Sequence, residues 1–142
     1  MFSGKEQIYI PVSRSKVFSI AETYPHFVEF FSPESRTLEK RDNFVRVEVY
    51  TKLLGFYRTR WEGEGIVFKD QKIDFTQTVG LFQGMKAVWE FFDKGDGTIV
   101  TIETTFTKDE YGPLLEKIMG YFIVCSTTKK ILKQLQNKSL AS

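Results

Sequence analysis

The sequence predicts an α+β fold, in which a curved antiparallel sheet of six or seven strands wraps around one long C-terminal helix and two short helices follow the first strand. Three observations carry this. From Ser35 onward apolar residues recur with a period of two, in runs separated by turn-forming residues. From Pro113 to Lys138 the period changes to three and four. Each strand offers one apolar face that another layer must cover, and only the last segment is long enough to cover them all.

Taken in order, Glu6 to Ile10 alternates and predicts a short strand with Ile8 and Ile10 inward, ended by Pro11. Ser13 is placed to N-cap a helix carrying Val17, Phe18 and Ala21. Pro25 opens a second short helix with Phe27, Phe30 and Phe31, closed by Pro33. Strands follow at Arg36 to Arg41 and Phe44 to Leu54, the second with Val45, Val47, Val49, Thr51 and Leu53 on one face. Tyr57, Thr59 and Trp61 continue that pattern before Gly63 and Gly65, which permit a bulge or bend. Ile73, Phe75, Gln77 and Val79 form the next inner face, then Met85, Ala87, Trp89 and Phe91 after a turn at Gly80 to Gly84. Gly95-Asp96-Gly97 turns the chain into a last strand with Val100, Ile102, Thr104 and Phe106 inward. The final helix carries Leu115, Ile118, Met119, Phe122, Cys125, Ile131, Leu132 and Leu135 along one stripe, and Lys129, Lys130, Lys133 and Lys138 suit its C-terminal dipole. Met1 to Gly4 and Ser139 to Ser142 read as frayed ends.

The length of 142 residues fits one domain, 1–142, with a single core. With 14 Phe, 6 Tyr and 2 Trp, that core or whatever it encloses is rich in aromatic rings. A formal charge of +2 lacks the strong basic excess of a dedicated nucleic-acid binder. One cysteine, Cys125, excludes an intrachain disulfide, and with one histidine it excludes a Cys/His zinc site; no metal ligand set and no cofactor motif is read elsewhere, and none is expected. The reading is a cytoplasmic protein, membrane-associated at most. No secretory leader is visible, and no apolar run approaches the ~20 residues a membrane-spanning helix needs.

The residues Ile10-Pro11-Val12-Ser13, Val17-Phe18, Tyr24-Pro25-His26-Phe27 and Phe30-Phe31, with Trp89-Glu90-Phe91, Gly95-Asp96-Gly97-Thr98 and Thr105-Phe106, now fall in a recognisable order. The pattern resembles the START-related helix-grip superfamily, also called the Bet v 1-like or polyketide cyclase/lipid-transport group. Within it the chain looks closest to the coenzyme Q-binding protein family, which includes bacterial ribosome-association toxins. The resemblance spans nearly the whole chain and implies a cavity between helix and sheet. The residues by themselves leave a filled core and a hollow one equally open.

If the space is hollow, its ligand-binding wall comprises Phe27, Phe30, Phe31, Thr59, Trp61, Phe75, Gln77, Phe82, Trp89, Met119 and Phe122. Apolar walls with a few orienting polar groups suit a hydrophobic small molecule such as a lipid or quinone. Buried Gln77 and Thr59 would then need partners, which a ligand head group or water can supply. Ten buried methylenes contribute roughly 8 kcal/mol, of which association entropy removes at least ~4 kcal/mol, so affinity would be modest. Leu81, Phe82, Phe27, Phe30 and Phe31 form either the rim of an opening or a plug beneath the loops.

Catalysis would need an inward acid, base or nucleophile. Glu48, Glu62, Glu64, Asp74, Glu90 and Glu103 fall on the outward register, and only a bulge at Gly63-Glu64-Gly65 would turn one inward, making Glu64 the sole weak catalytic candidate. Arg46, Lys52, Arg58 and Arg60 stand outside beside carboxylates, as cross-strand pairs or as a patch that could meet RNA or anionic lipid. The leading expectation is a non-catalytic binder or carrier of a hydrophobic molecule. A ribosome-associating module of the toxin type and a cyclase- or dehydratase-like enzyme stand as alternatives.

Overall fold

The computed structural model describes residues 1–53, 57–107, 112, 118 and 120–142. Among them, alternation produces a seven-stranded antiparallel sheet of β1 (Phe2–Ile10), β2 (Arg36–Arg41), β3 (Phe44–Leu53), β4 (Tyr57–Phe68), β5 (Lys72–Val79), β6 (Lys86–Lys94) and β7 (Gly97–Phe106). The spatial order is β1-β7-β6-β5-β4-β3-β2, so β1 and β2, neighbours in sequence, lie at opposite edges. The segment joining them, with helix α1 (Arg14–Ala21), therefore crosses one end of the sheet. Helix α2 (Ser126–Ala141) packs along β1 and α1. Its Leu132 and Leu135 are buried in the main core with Val17, Phe18, Phe91 and Val100.

Helix α1 buries Val17, Phe18 and Ala21, the residues its spacing singles out. Ser13 occupies the N-cap position, where its carbonyl accepts from Val17 N at 3.0 Å, but its side chain makes no capping hydrogen bond. The second short helix expected from Pro25 is instead a run of turns. Its hydrogen bonds span three residues, from His26 N to Thr23 O, Val28 N to Pro25 O and Phe31 N to Val28 O. An isolated bridge between Phe31 and Thr51, with Ser32 N donating to Tyr50 O at 2.8 Å, fastens this segment to β3.

Both chain ends are more ordered than their composition suggests. Strand β1 begins at Phe2, whose partner in register is Phe106. Phe2 is buried against Phe82, Phe106 and Val124 in a second, smaller cluster. Helix α2 runs past Lys138 to Ala141 and buries Ser139. At 1.5 Å per residue its 16 residues reach about 24 Å. Before it, Gly120–Cys125 winds as a π-helical turn. The expected helix start at Pro113, and the stripe residues Leu115 and Met119, lie outside the described residues.

Two inner-face assignments are corrected by irregular backbone. Strand β5 pairs Gln77 with Gly63 but Val79 with Glu62, so Thr78 is an extra residue in the ladder. A one-residue bulge reverses the alternation beyond it, and Val79 is 43% exposed. Thr78 Oγ1 donates to Glu62 O at 3.3 Å across the irregularity. In the π-helical turn, bonds close over five residues and the three-and-four spacing fails. Phe122 accordingly leaves the buried stripe and is 74% exposed, with Ile118 also exposed one turn earlier in sequence.

Candidate functional site: a cavity between sheet and helix

Between the concave face of the sheet and α2 lies a cavity of about 450 Å³. The alternating residues build its floor: Val45 and Val47 from β3, Thr59 and Trp61 from β4, Ile73, Phe75 and Gln77 from β5, Ala87 and Trp89 from β6, Ile102 and Thr104 from β7. Ile123, Val124, Thr128 and Ile131 form the roof, and the turn segment closes one side with Tyr24, Phe30 and Phe31. Leu81, Phe82 and Met85 line it from the β5–β6 connection. The volume falls within the range of small-molecule pockets, roughly 300–1,000 Å³.

Two glycines allow close packing at this floor. A methyl group at Gly63 would come within 2.2 Å of Phe75 Cζ, so the Phe75 ring lies directly against the β4 backbone. Gly80, at φ +122°, passes so close to Trp61 that an added Cβ would meet Trp61 Cβ at 2.7 Å. The first approach seats the Phe75 ring on the floor, and the second brings the turn after β5 against the backbone of Trp61.

Tyr24 stands at the centre of the aromatic wall. Its ring centroid lies 5.5–5.9 Å from those of Phe31, Phe75, Trp89 and Phe27, and 6.3 Å from Trp61. Most of these pairs are edge-to-face, the arrangement ring quadrupoles favour. Burial pushes the phenol of Tyr24 well above the ordinary tyrosine range, so it stays neutral and can donate a hydrogen bond at any physiological pH.

Gln77 is the other polar feature. Its backbone is fully engaged, with Gln77 N donating to Met85 O at 2.9 Å and Gly84 N donating to Gln77 O at 2.8 Å. The residue is 3% exposed, yet its side-chain Oε1 has no hydrogen-bond partner. Thr128, by contrast, satisfies its hydroxyl by donating to Val124 O at 2.8 Å. The charged residues that border the cavity, Glu22, Lys52 and Lys130, are all exposed and so belong to its mouth.

Of the sequence-derived wall, Phe30, Phe31, Thr59, Trp61, Phe75, Gln77, Phe82, Trp89 and Phe122 border the cavity. Phe27 does not: it is packed in the core, edge-on to Trp89 at 6.3 Å. Met119 lies outside the described residues. Phe122 stands largely in solvent at the edge of the opening. Tyr24 is absent from the expected wall, because the turn segment that carries it has no repeating period; its one sequence signal is a place within Tyr24-Pro25-His26-Phe27.

Glu64 does not border the cavity. Gly63 backs directly onto Phe75 and Gly65 faces Val45 and Phe75, which puts the intervening Glu64 on the other face of β4, paired in register with Arg46 and Thr76. The irregularity sits at Thr78 on β5 instead. His26 is exposed and away from the cavity. Among the described residues no group of three His, Cys, Asp or Glu side chains is placed to hold a metal ion.

On the outer face, Glu48 is held between two arginines. Arg36 Nε reaches Glu48 Oε1 at 3.3 Å, and Arg60 Nη2 reaches Glu48 Oε2 at 2.6 Å and Glu62 Oε2 at 3.0 Å. The Arg60 hydrogen bond holds the Glu48 carboxyl below the usual carboxylate range. Arg58 pairs with Glu34 and lies 5.0 Å over the Tyr50 ring. Two of the four basic residues considered as a patch are thus engaged by carboxylates.

A curved sheet gripping a C-terminal helix around an apolar cavity defines a helix-grip domain of the Bet v 1 and START type. The chain belongs to the polyketide cyclase/dehydrase and lipid transport family, whose model matches residues 10–123. Solved structures share the fold along almost the whole length. A Thermus thermophilus protein, TTHA0849, is 21% identical with a TM-score of 0.83, covering 99% of this chain and 98% of that one. The Zhui aromatase/cyclase from a Streptomyces species is 12% identical with a TM-score of 0.79, covering 97% and 93%. A START superfamily protein from Mycobacterium smegmatis is 14% identical with a TM-score of 0.74, covering 98% and 97%. No curated protein matches the sequence. No helix among the described residues is long and apolar enough to cross a membrane.

Proposed function

We propose that the protein binds and carries a neutral hydrophobic small molecule, of the lipid or quinone class, in the cavity between sheet and helix. The observation that carries this reading is the distribution of charge around the cavity: an apolar floor and roof, neutral polar groups within, and Glu22, Lys52 and Lys130 at the exposed mouth. A charged ligand buried among such walls would lose its hydration without gaining a partner. The family's description names lipid transport beside cyclase and dehydrase activity. A cyclase-like reaction needs a base at the ligand, and the one candidate the sequence offered, Glu64, lies away from the cavity. A ligand of about 450 Å³ fills the space; a longer tail would leave past Phe122.

Native mass spectrometry of the purified protein, with solvent extraction of whatever it carries, tests the reading. The expected result is a one-to-one complex with a neutral apolar molecule. A protein that neither carries such a molecule nor takes up added apolar probes would overturn it.

A further inference from the structure

Among the described residues that line the cavity, one buried side-chain polar atom has no hydrogen-bond partner, Gln77 Oε1. Leaving a carbonyl oxygen without a donor typically costs more than a made hydrogen bond contributes, so a ligand that brings a donor to this end relieves that cost. Phe75 and Trp61 flank Gln77 on the floor, and the Thr128 hydroxyl of the roof is already donated to Val124 O. The Gln77 backbone is clamped on both sides by Met85 and Gly84, which fixes where the carboxamide starts. Tyr24 supplies the complementary function nearby, since its ring meets both Trp61 and Phe75 and its phenol stays protonated.

We propose that Gln77 is the polar anchor of the cavity and selects neutral ligands that carry a hydroxyl or N–H donor on an apolar body over analogues that can only accept. This rests on the binding reading above and narrows its ligand class. The Tyr24 phenol is left to donate to an acceptor oxygen of the same ligand. A site built around a buried acceptor rejects a ligand lacking the donor more strongly than an apolar pocket rejects a missing methylene.

The test uses two probes of nearly equal size, 2-naphthol and 2-methoxynaphthalene, titrated calorimetrically at neutral pH into the full chain. The proposal expects 2-naphthol to bind at least tenfold more tightly. Gln77→Leu and, as a second apolar replacement, Gln77→Met should bring the two probes to within about twofold of each other. Equal binding of the probes by the wild type overturns the assignment of Gln77 while leaving the binding reading intact. A preference that survives in a folded Gln77 variant overturns it as well. Failure of both probes to bind defeats the cavity reading itself, and this proposal with it.

Discussion

The ring of Tyr24 stands edge-on to the indole of Trp89, centroids 5.8 Å apart at 74°. Through this contact the turn segment after α1 is joined to the middle of the sheet, because Trp89 belongs to β6 and pairs with Ile73 and Ile102 on either side. Removing the ring should therefore loosen the wall as well as enlarge the cavity. Tyr24→Ala is expected to lower stability by roughly 3 kcal/mol, in the range for large-to-small aromatic replacements. Tyr24→Phe keeps every ring contact and should change stability by less than about 1 kcal/mol, the scale of a single hydrogen bond. Urea unfolding of the two variants checks the contrast.

Gly63 lets Phe75 lie on the β4 backbone. In Gly63→Ala the ring must move, and the open side is the cavity. The variant is expected to lose about 1–3 kcal/mol, typical of overpacking, and to bind apolar probes more weakly. Gly63→Ala combined with Phe75→Leu should recover probe binding relative to the single variant, as read by titration and thermal unfolding.

Glu48 gives the outer face a pH dependence. Its carboxyl is held low in the folded protein, chiefly by the Arg60 hydrogen bond with help from Arg36, so the folded state releases this proton more readily than the unfolded chain. A depressed folded pKa stabilises the protein above the unfolded value, about 4.3. That contribution is lost as pH falls through the lowered folded value. Urea midpoints measured from pH 7 down to the acid limit should fall less steeply for Glu48→Gln than for the wild type.

Cys125 is half-buried, and its thiol is pushed up, first by burial and then by the charge of Glu6. Only the thiolate is nucleophilic. Alkylation by iodoacetamide at mildly alkaline pH should be slower than for a free cysteine in a peptide. It should accelerate to the peptide rate only under denaturing conditions.

The sheet is legible in the sequence because alternation is a local property: Val45 and Val47, Ile73 and Phe75, Trp89 and Phe91 declare their face by their neighbours alone. The misplaced residues are those where the backbone departs from its period. Val79 follows the extra residue Thr78, and Phe122 sits in a π-helical turn, neither of which side-chain identity announces. Phe2 and Ser139 read as loose ends because their burial depends on partners far along the chain, Phe106 for one and the packing of α2 for the other. Tyr24 escapes notice for a related reason, since a turn has no face until the sheet beneath it exists. The cavity is the least legible feature. Val, Ile, Phe and Trp on an inner face describe a filled core and a hollow one equally well, and only the distance between sheet and helix separates them.

The proposed function requires that this space receive a ligand. The most direct measurement is an equilibrium titration of the neutral fluorophore N-phenyl-1-naphthylamine into the wild type and into Ala87→Phe, whose added ring would project from the cavity floor. Saturable one-to-one binding by the wild type is expected, and at least tenfold weaker binding by the filled variant, with both proteins folded. Unsaturable or absent binding by the wild type, or equal binding by the two, would contradict it.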